Sequence, residues 1–254
     1  MLLREKADSS DKPFRYARPE SYRTPLETVD GPLEVCSFVD GDPTWPNYVR
    51  SIWLAPGYLH DLRDAYRQFL GADYRGTVLE AGCGMGHLHE ILGVDPLKYT
   101  GMDLNRQFLG MGREHYPGLS LIAGGVDQLP FPAGSFDCVV CSDVLIHLED
   151  MRPALRELIR VSRSYVLLRL RSGDGAAQRG KTVYDRTRQR LFNRLVLQGA
   201  ESFIYYNVLA PEDLSALLGE VGITEYDSLD LLASDADRLG LTKIFFDVRQ
   251  AKRP

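Results

Sequence analysis

From Tyr58 onward the apolar residues fall into two alternating periods. Leu59, Leu62, Tyr66, Phe69 and Leu70 recur at helical spacing, and Gly71 is placed to stop the helix they predict. The pattern then predicts strand 77–81, helix 86–92, strand 98–103, helix 105–113, strand 119–123, strand 136–141, helix 150–160 and strand 165–170. Further on, "APEDLSALLGEVGI" reads as a helix with Pro211 in its first turn and Gly222 beyond its end, and the chain closes with strands 225–231 and 241–249. Strands alternating with helices at this interval predict an α/β fold: a doubly wound, mostly parallel sheet covered on both faces. Short apolar runs such as "CVV" at 138–140 suit strands buried on both sides.

Two stretches stand outside this alternation. Residues 1–57, rich in Pro, Tyr, Arg and Asp, read as an irregular N-terminal extension with a short hairpin around "VDGPLEV". Its Trp45, Tyr48 and Trp53, with Tyr58 just beyond, are either core of the extension or, if it folds as a lid over the open end of the sheet, the lining of an apolar substrate chamber. Residues 171–208 form an insertion after the fifth strand. It holds a Gly-rich hinge "RSGDGAAQRGK", a helix candidate carrying Arg186, Arg188, Arg190 and Arg194, and the aromatic run "FIYYN" with Tyr205 and Tyr206. The expected division is therefore an extension, 1–57, and a main domain, 58–254, carrying a helical cap at 171–208.

The composition changes this picture little. The chain has 254 residues, 44% hydrophobic and 26% charged, ordinary for a globular protein with a full core. Its longest apolar runs fall far short of the roughly 20 residues of a membrane-spanning helix, and "MLLREKADSS" lacks a signal peptide's apolar stretch, so the cytoplasm is the expected location. Cys138 and Cys141 form a CxxC inside a predicted strand, where positions three apart face opposite ways. With no second pair at zinc-site spacing, they read as buried reduced thiols and no metal is expected. The net charge of −5 argues against a generic nucleic-acid binder, yet residues 160–194 hold ten Lys or Arg against two Asp. That run is either a solvated face or an anion-binding one.

The candidate chemistry begins at "VLEAGCGMGHL", residues 78–88. A glycine-rich turn between strand and helix lets backbone N–H groups and a helix N-terminus approach a ligand closely. The dinucleotide fingerprint asks for Gly-x-Gly-x-x-Gly, but after Gly82 and Gly84 the third position is His87; Gly86 stands one residue earlier. The spacing Glu80-x-Gly82-x-Gly84-x-Gly86 resembles the first motif of class I S-adenosylmethionine-dependent methyltransferases. Asp103 in "YTGMDLN", the stretch "LPFPAGSFDCVVCSDVLIHLEDMRPALRELIRV" and the late "YYNVLAPEDLSALLGEVGI" extend the resemblance over about residues 60–250. The broad group it points to includes quinone-biosynthesis and natural-product enzymes.

The resemblance implies a Rossmann-like seven-stranded sheet, S-adenosyl-L-methionine as cofactor, and methylation of a small molecule at O, N or C. It implies that Asp103 takes the ribose hydroxyls, although an Asp there is also a favoured helix cap. It implies that Glu80 orders the glycine loop or meets the methionine amino group. Ala81, Cys83, Gly84, Leu104 and Ser142 are placed in the same pocket. Where the family often has an aspartate for the adenine amino group this chain has Gly125, which leaves Asp127 or the backbone N–H of Val126 for that task. Asp143 and His147 follow the fourth strand at the ligand-binding end of the sheet. His147 is a candidate base for a hydroxyl acceptor, or a brace for its loop. The arginines of the cap, Arg186 and Arg190 foremost, suit a carboxylate or phosphate on the acceptor. Two rivals remain: an RNA methyltransferase using the basic run, and a non-catalytic cofactor-binding partner. A monomer or a homodimer fits equally well.

Overall fold

The computed structural model describes residues 27–28, 31–32, 54, 60–148, 150–172, 178–185, 190–192, 196–197, 200–201, 204–209, 211–231 and 240–252. Seven strands form one sheet: β1 (Val78–Ala81), β2 (Tyr99–Asp103), β3 (Ser120–Ala123), β4 (Phe136–Ser142), β5 (Ser162–Ser172), β6 (Asp227–Leu231) and β7 (Gly240–Asp247). Their order is β6-β7-β5-β4-β1-β2-β3. β1 to β5 pair in parallel, whereas β7 runs antiparallel to both β5 and β6. The order reverses between β1 and β4, and α/β sheets bind ligands in the crevice that such a reversal opens at the strands' carboxyl ends.

Helices cover both faces. α1 (His60–Leu70), α2 (Leu88–Leu92) and α3 (Arg106–His115) lie on one side, and α4 (Arg152–Val161) and α5 (Pro211–Glu220) on the other. The sequence explains the faces. Leu62 and Tyr66, one turn apart on α1, are buried with Val78, Leu109 and Val140, and Phe69 stacks on Phe245 with ring centroids 4.6 Å apart. Leu155 and Leu158 of α4 and Leu217 and Leu218 of α5 fill the opposite core with Val139, Cys141 and Leu168. Each such side chain contributes about 1.5–3 kcal/mol on burial. Cys138 and Cys141, three apart on β4, fall into the two different cores and both are free thiols. Burial pushes both thiols up from their ordinary value, which makes them inert at neutral pH.

The hairpin expected near "VDGPLEV" exists, with Glu27–Thr28 pairing Gly31–Pro32. The insertion corrects an expectation. Its described residues are strands, and the helix expected to carry Arg186, Arg188, Arg190 and Arg194 is replaced at Arg190–Phe192 by one of them. Gln178–Asp185 pairs antiparallel with Ile204–Val208 and with Arg190–Phe192, and Val196–Leu197 pairs with Ala200–Glu201. The backbone register pairs Thr182 with Ile204, Val183 with Phe192 and Tyr184 with Leu191, and β-branched and aromatic residues such as these favour strands. The strand Ile204–Val208 lies beside the short 3-10 turn Leu145–His147, so the insertion reaches the carboxyl end of β4.

Candidate functional site

β1 delivers its chain to the loop at the centre of the crevice, and the loop's backbone is unusual. Gly82, Gly84 and Gly86 have φ of +83°, +55° and +80°, an alternation that turns successive peptide groups in different directions. At Gly82 a side chain is excluded by space as well as by φ, because an added Cβ would lie 2.0 Å from Val144 Cγ2. His87, at the third dinucleotide position, has an ordinary helical φ of −64° and is buried. Burial, and then the neighbouring His89, pushes its imidazole down to about 4, so it is neutral.

Asp103, the last residue of β2, ties this loop to the next strand. Its Oδ2 accepts the Gly84 N–H at 2.7 Å and its Oδ1 accepts the Asn105 N–H at 2.8 Å. Asp103 as a whole is 7% exposed. The helix cap, the alternative role for Asp103, falls to Asn105, whose side-chain oxygen accepts the N–H groups of Gln107 and Phe108.

Glu80 faces another neighbour. It is 3% exposed and accepts the Tyr99 hydroxyl. Burial pushes its carboxyl well above the ordinary range; the Tyr99 hydrogen bond opposes the shift and the charge of Asp103 adds to it. Ordering of the loop therefore rests on Asp103, while Glu80 joins β1 to β2. Ala81 and Cys83 are buried in the two cores, and Cys83 Sγ lies against Gly101, so a ligand would meet their main chain.

After β3 the chain passes Leu104's neighbourhood at Gly124–Asp127. An added Cβ at Gly125 would lie 2.8 Å from Asp127 Oδ1 and 3.6 Å from Leu104 Cδ2. The Asp127 carboxylate thus stands where a side chain of residue 125 would begin. Its partial burial pushes its carboxyl up from the ordinary value. Val126 beside it is buried. The following loop is fastened to α4: Glu157 accepts the Leu129 N–H at 2.8 Å, and Arg160 donates to the carbonyls of Leu129 and Phe131 at 2.9 and 2.7 Å.

At the end of β4, Ser142 Oγ donates to Asp143 Oδ2 at 3.3 Å, and the guanidinium of Arg169, opposite Ser142 on β5, pairs with the same oxygen. Arg169 was hidden in the basic run, where sequence alone gives no sign that it points inward. Arg160 and Arg163 of that run are likewise paired, with Glu157 and Asp137. His147 is partly buried at the end of its turn.

The sequence-derived residues Glu80, Gly82, Gly84, Gly86, Asp103, Leu104, Val126, Asp127, Ser142 and Asp143 therefore lie along one edge, the carboxyl ends of β1 to β4. Tyr205, Tyr206 and Arg190 lie on strands of the insertion, with side chains outside the description. Trp45, Tyr48, Trp53, Arg186, Arg188 and Arg194 are outside the described residues.

This edge coincides with a known domain. Residues 79–168 match the family described as the methyltransferase domain. That segment of the chain carries the methyltransferase domain. Over 90 residues it is 34% identical to the phthiotriol/phenolphthiotriol dimycocerosates methyltransferase of Mycobacterium tuberculosis, covering 34% of this chain and 33% of that protein. It is 30% identical over 95 residues to the malonyl-[acyl-carrier protein] O-methyltransferase of Serratia marcescens, covering 37% of each. The chain thus spans about a third of the length of the curated relatives it matches. The 1,6-didemethyltoxoflavin-N1-methyltransferase of Burkholderia thailandensis, solved with its substrate and S-adenosylhomocysteine, is 17% identical with a TM-score of 0.61, covering 96% of this chain and 95% of that one. That likeness extends the methyltransferase fold beyond the matched segment to the last strands.

Proposed function

We propose that the protein transfers a methyl group from S-adenosylmethionine to a small-molecule acceptor. The observation that carries this reading is the pairing of the left-handed glycine loop with Asp103, which fastens the loop through Gly84 N–H and presents a buried carboxylate at the tip of β2. The residues suit the cofactor's parts. The glycine loop would take the methionine end, Asp103 the ribose hydroxyls, and Val126 and Asp127 the adenine. When bound, the cofactor supplies an activated methyl group, so the protein's contribution is alignment and exclusion of water.

Asp127 replaces the aspartate that Gly125 lacks, because its carboxylate occupies the space above that glycine. Asp127→Ala is expected to weaken S-adenosylhomocysteine about tenfold, roughly 1.4 kcal/mol, the value of one hydrogen bond to a charged group. S-inosylhomocysteine, which has an oxo group in place of the adenine amino group, should bind the wild type and the variant alike. Calorimetry showing equal losses for both ligands would exclude Asp127 from adenine recognition.

The insertion acts as a cap on the acceptor pocket, since its strand Ile204–Val208 lies beside the turn that ends in His147. His147 at this junction is read as a brace for the turn rather than as the base. The ion pairs of Arg160, Arg163 and Arg169 favour a small acceptor over RNA, because they remove three cations from the basic run. Among the described residues no helix is long and apolar enough to cross a membrane. Incubation with methyl-labelled cofactor and a mixture of metabolite extract and tRNA tests the reading: label is expected in the small-molecule fraction. Label in tRNA would support the RNA alternative, and cofactor binding without any transfer would support a non-catalytic partner.

A further inference from the structure

Asp143 is the first residue past β4, and its backbone is left-handed, with φ of +58°; no other non-glycine among the described residues has a positive φ. Aspartate tolerates that region better than most residues, yet such a conformation persists only where its surroundings hold it. Here they do: the Asp143 N–H donates to the Arg169 carbonyl at 3.0 Å, and the Arg169 side chain, with the residue 8% exposed, pairs with Oδ2. Ser142 Oγ adds a second donor to that oxygen at 3.3 Å. Both donors are spent on Oδ2. Oδ1 is buried and has no hydrogen-bond partner among the described residues. A pair serving stability alone would satisfy both oxygens, since a buried unpaired acceptor is costly. The location gives the oxygen a use. Val144, the next residue, seats its side chain against Gly82 of the glycine loop, and the turn after it lies beside the cap strand. Asp143 therefore stands between the loop and the cap.

We propose that Asp143 Oδ1 accepts a hydrogen bond from the O–H or N–H of the methyl acceptor's reacting group, and that Arg169 is the positioning residue that fixes the carboxylate for it. This rests on the proposed methyl-transfer function and narrows it. A carboxylate paired with a guanidinium is an acceptor only, so the matching partner carries O–H or N–H at the reacting atom. Hydroxyl and amine acceptors fit; a bare carbon acceptor or an anionic reacting atom does not. Paired with Arg169, the carboxylate carries no net charge with its partner, so what it offers the reacting atom is an acceptor oxygen.

Sinefungin makes this testable without knowing the acceptor, because an amine-bearing carbon stands in it where the cofactor has its methyl-bearing sulfur. By calorimetry, the wild type is expected to bind sinefungin about tenfold tighter than S-adenosylhomocysteine, the scale of a charge-assisted contact. Asp143→Asn should abolish that preference while S-adenosylhomocysteine keeps its affinity within about twofold. Since that variant leaves Arg169 without its partner charge, the double variant Asp143→Asn/Arg169→Gln removes both charges and should show the same loss of preference. A wild type without the preference, a preference that survives in both variants, or equal losses for the two ligands would each overturn the proposal. A wild type that binds neither ligand would overturn the methyltransferase function itself, and this inference with it.

Discussion

Replacing Asp103 with alanine is expected to weaken S-adenosylhomocysteine binding by about 3 kcal/mol, roughly 150-fold, the upper range for a hydrogen-bonding charged group. Two losses combine. The ribose hydroxyls would lose their acceptor, and the loop would lose its anchor, because Asp103 Oδ2 holds the Gly84 N–H at 2.7 Å while Oδ1 holds Asn105 at 2.8 Å. Alanine leaves two buried N–H groups without that partner. Asparagine, which keeps one acceptor oxygen, should fall between wild type and alanine. Calorimetric titration of the three proteins checks the order, and an Asp103→Ala affinity within about twofold of wild type would remove this residue from the cofactor site.

Gly82→Ala is expected to cost about 3 kcal/mol of folding stability, a large share of the 5–15 kcal/mol typical of a whole domain. The left-handed φ of +83° contributes about 1–2 kcal/mol of that cost. The remainder is steric: the new methyl would sit 2.0 Å from Val144 Cγ2, and overpacking costs about 1–3 kcal/mol. Val144→Ala in the same protein should restore the steric part and leave the backbone part. Urea unfolding of the single and double variants separates the two contributions, and a Gly82→Ala protein as stable as wild type would contradict the close approach of loop and turn.

The framework of the fold was legible because its signal is periodic. The strand and helix alternation from 60 to 170, and the burial of Cys138 and Cys141 on opposite faces, follow from side-chain spacing alone. The glycine loop and Asp103 were legible because few residue types serve there. The insertion was not legible: the sequence offered a helix candidate there, whereas pairing of Thr182 and Lys181 with Ile204 and Tyr205 makes a ladder from residues some twenty positions apart. Helical periodicity is local, but strand pairing depends on a distant partner. The Tyr99–Glu80 and Arg169–Asp143 pairs escaped for the same reason, as they join neighbouring strands separated by a whole crossover. Asn105 caps α3 because the helix begins at Arg106, one residue later than the start at 105 that the sequence pattern suggests.

The central claim is that the crevice at the ends of β1, β2 and β3 is a cofactor site for S-adenosylmethionine rather than for a dinucleotide. Calorimetric titration of the wild-type protein with S-adenosylhomocysteine, and separately with NAD, tests it most directly. The account predicts saturable binding of S-adenosylhomocysteine at one site per chain and none of NAD. Binding of NAD with no response to S-adenosylhomocysteine would contradict it.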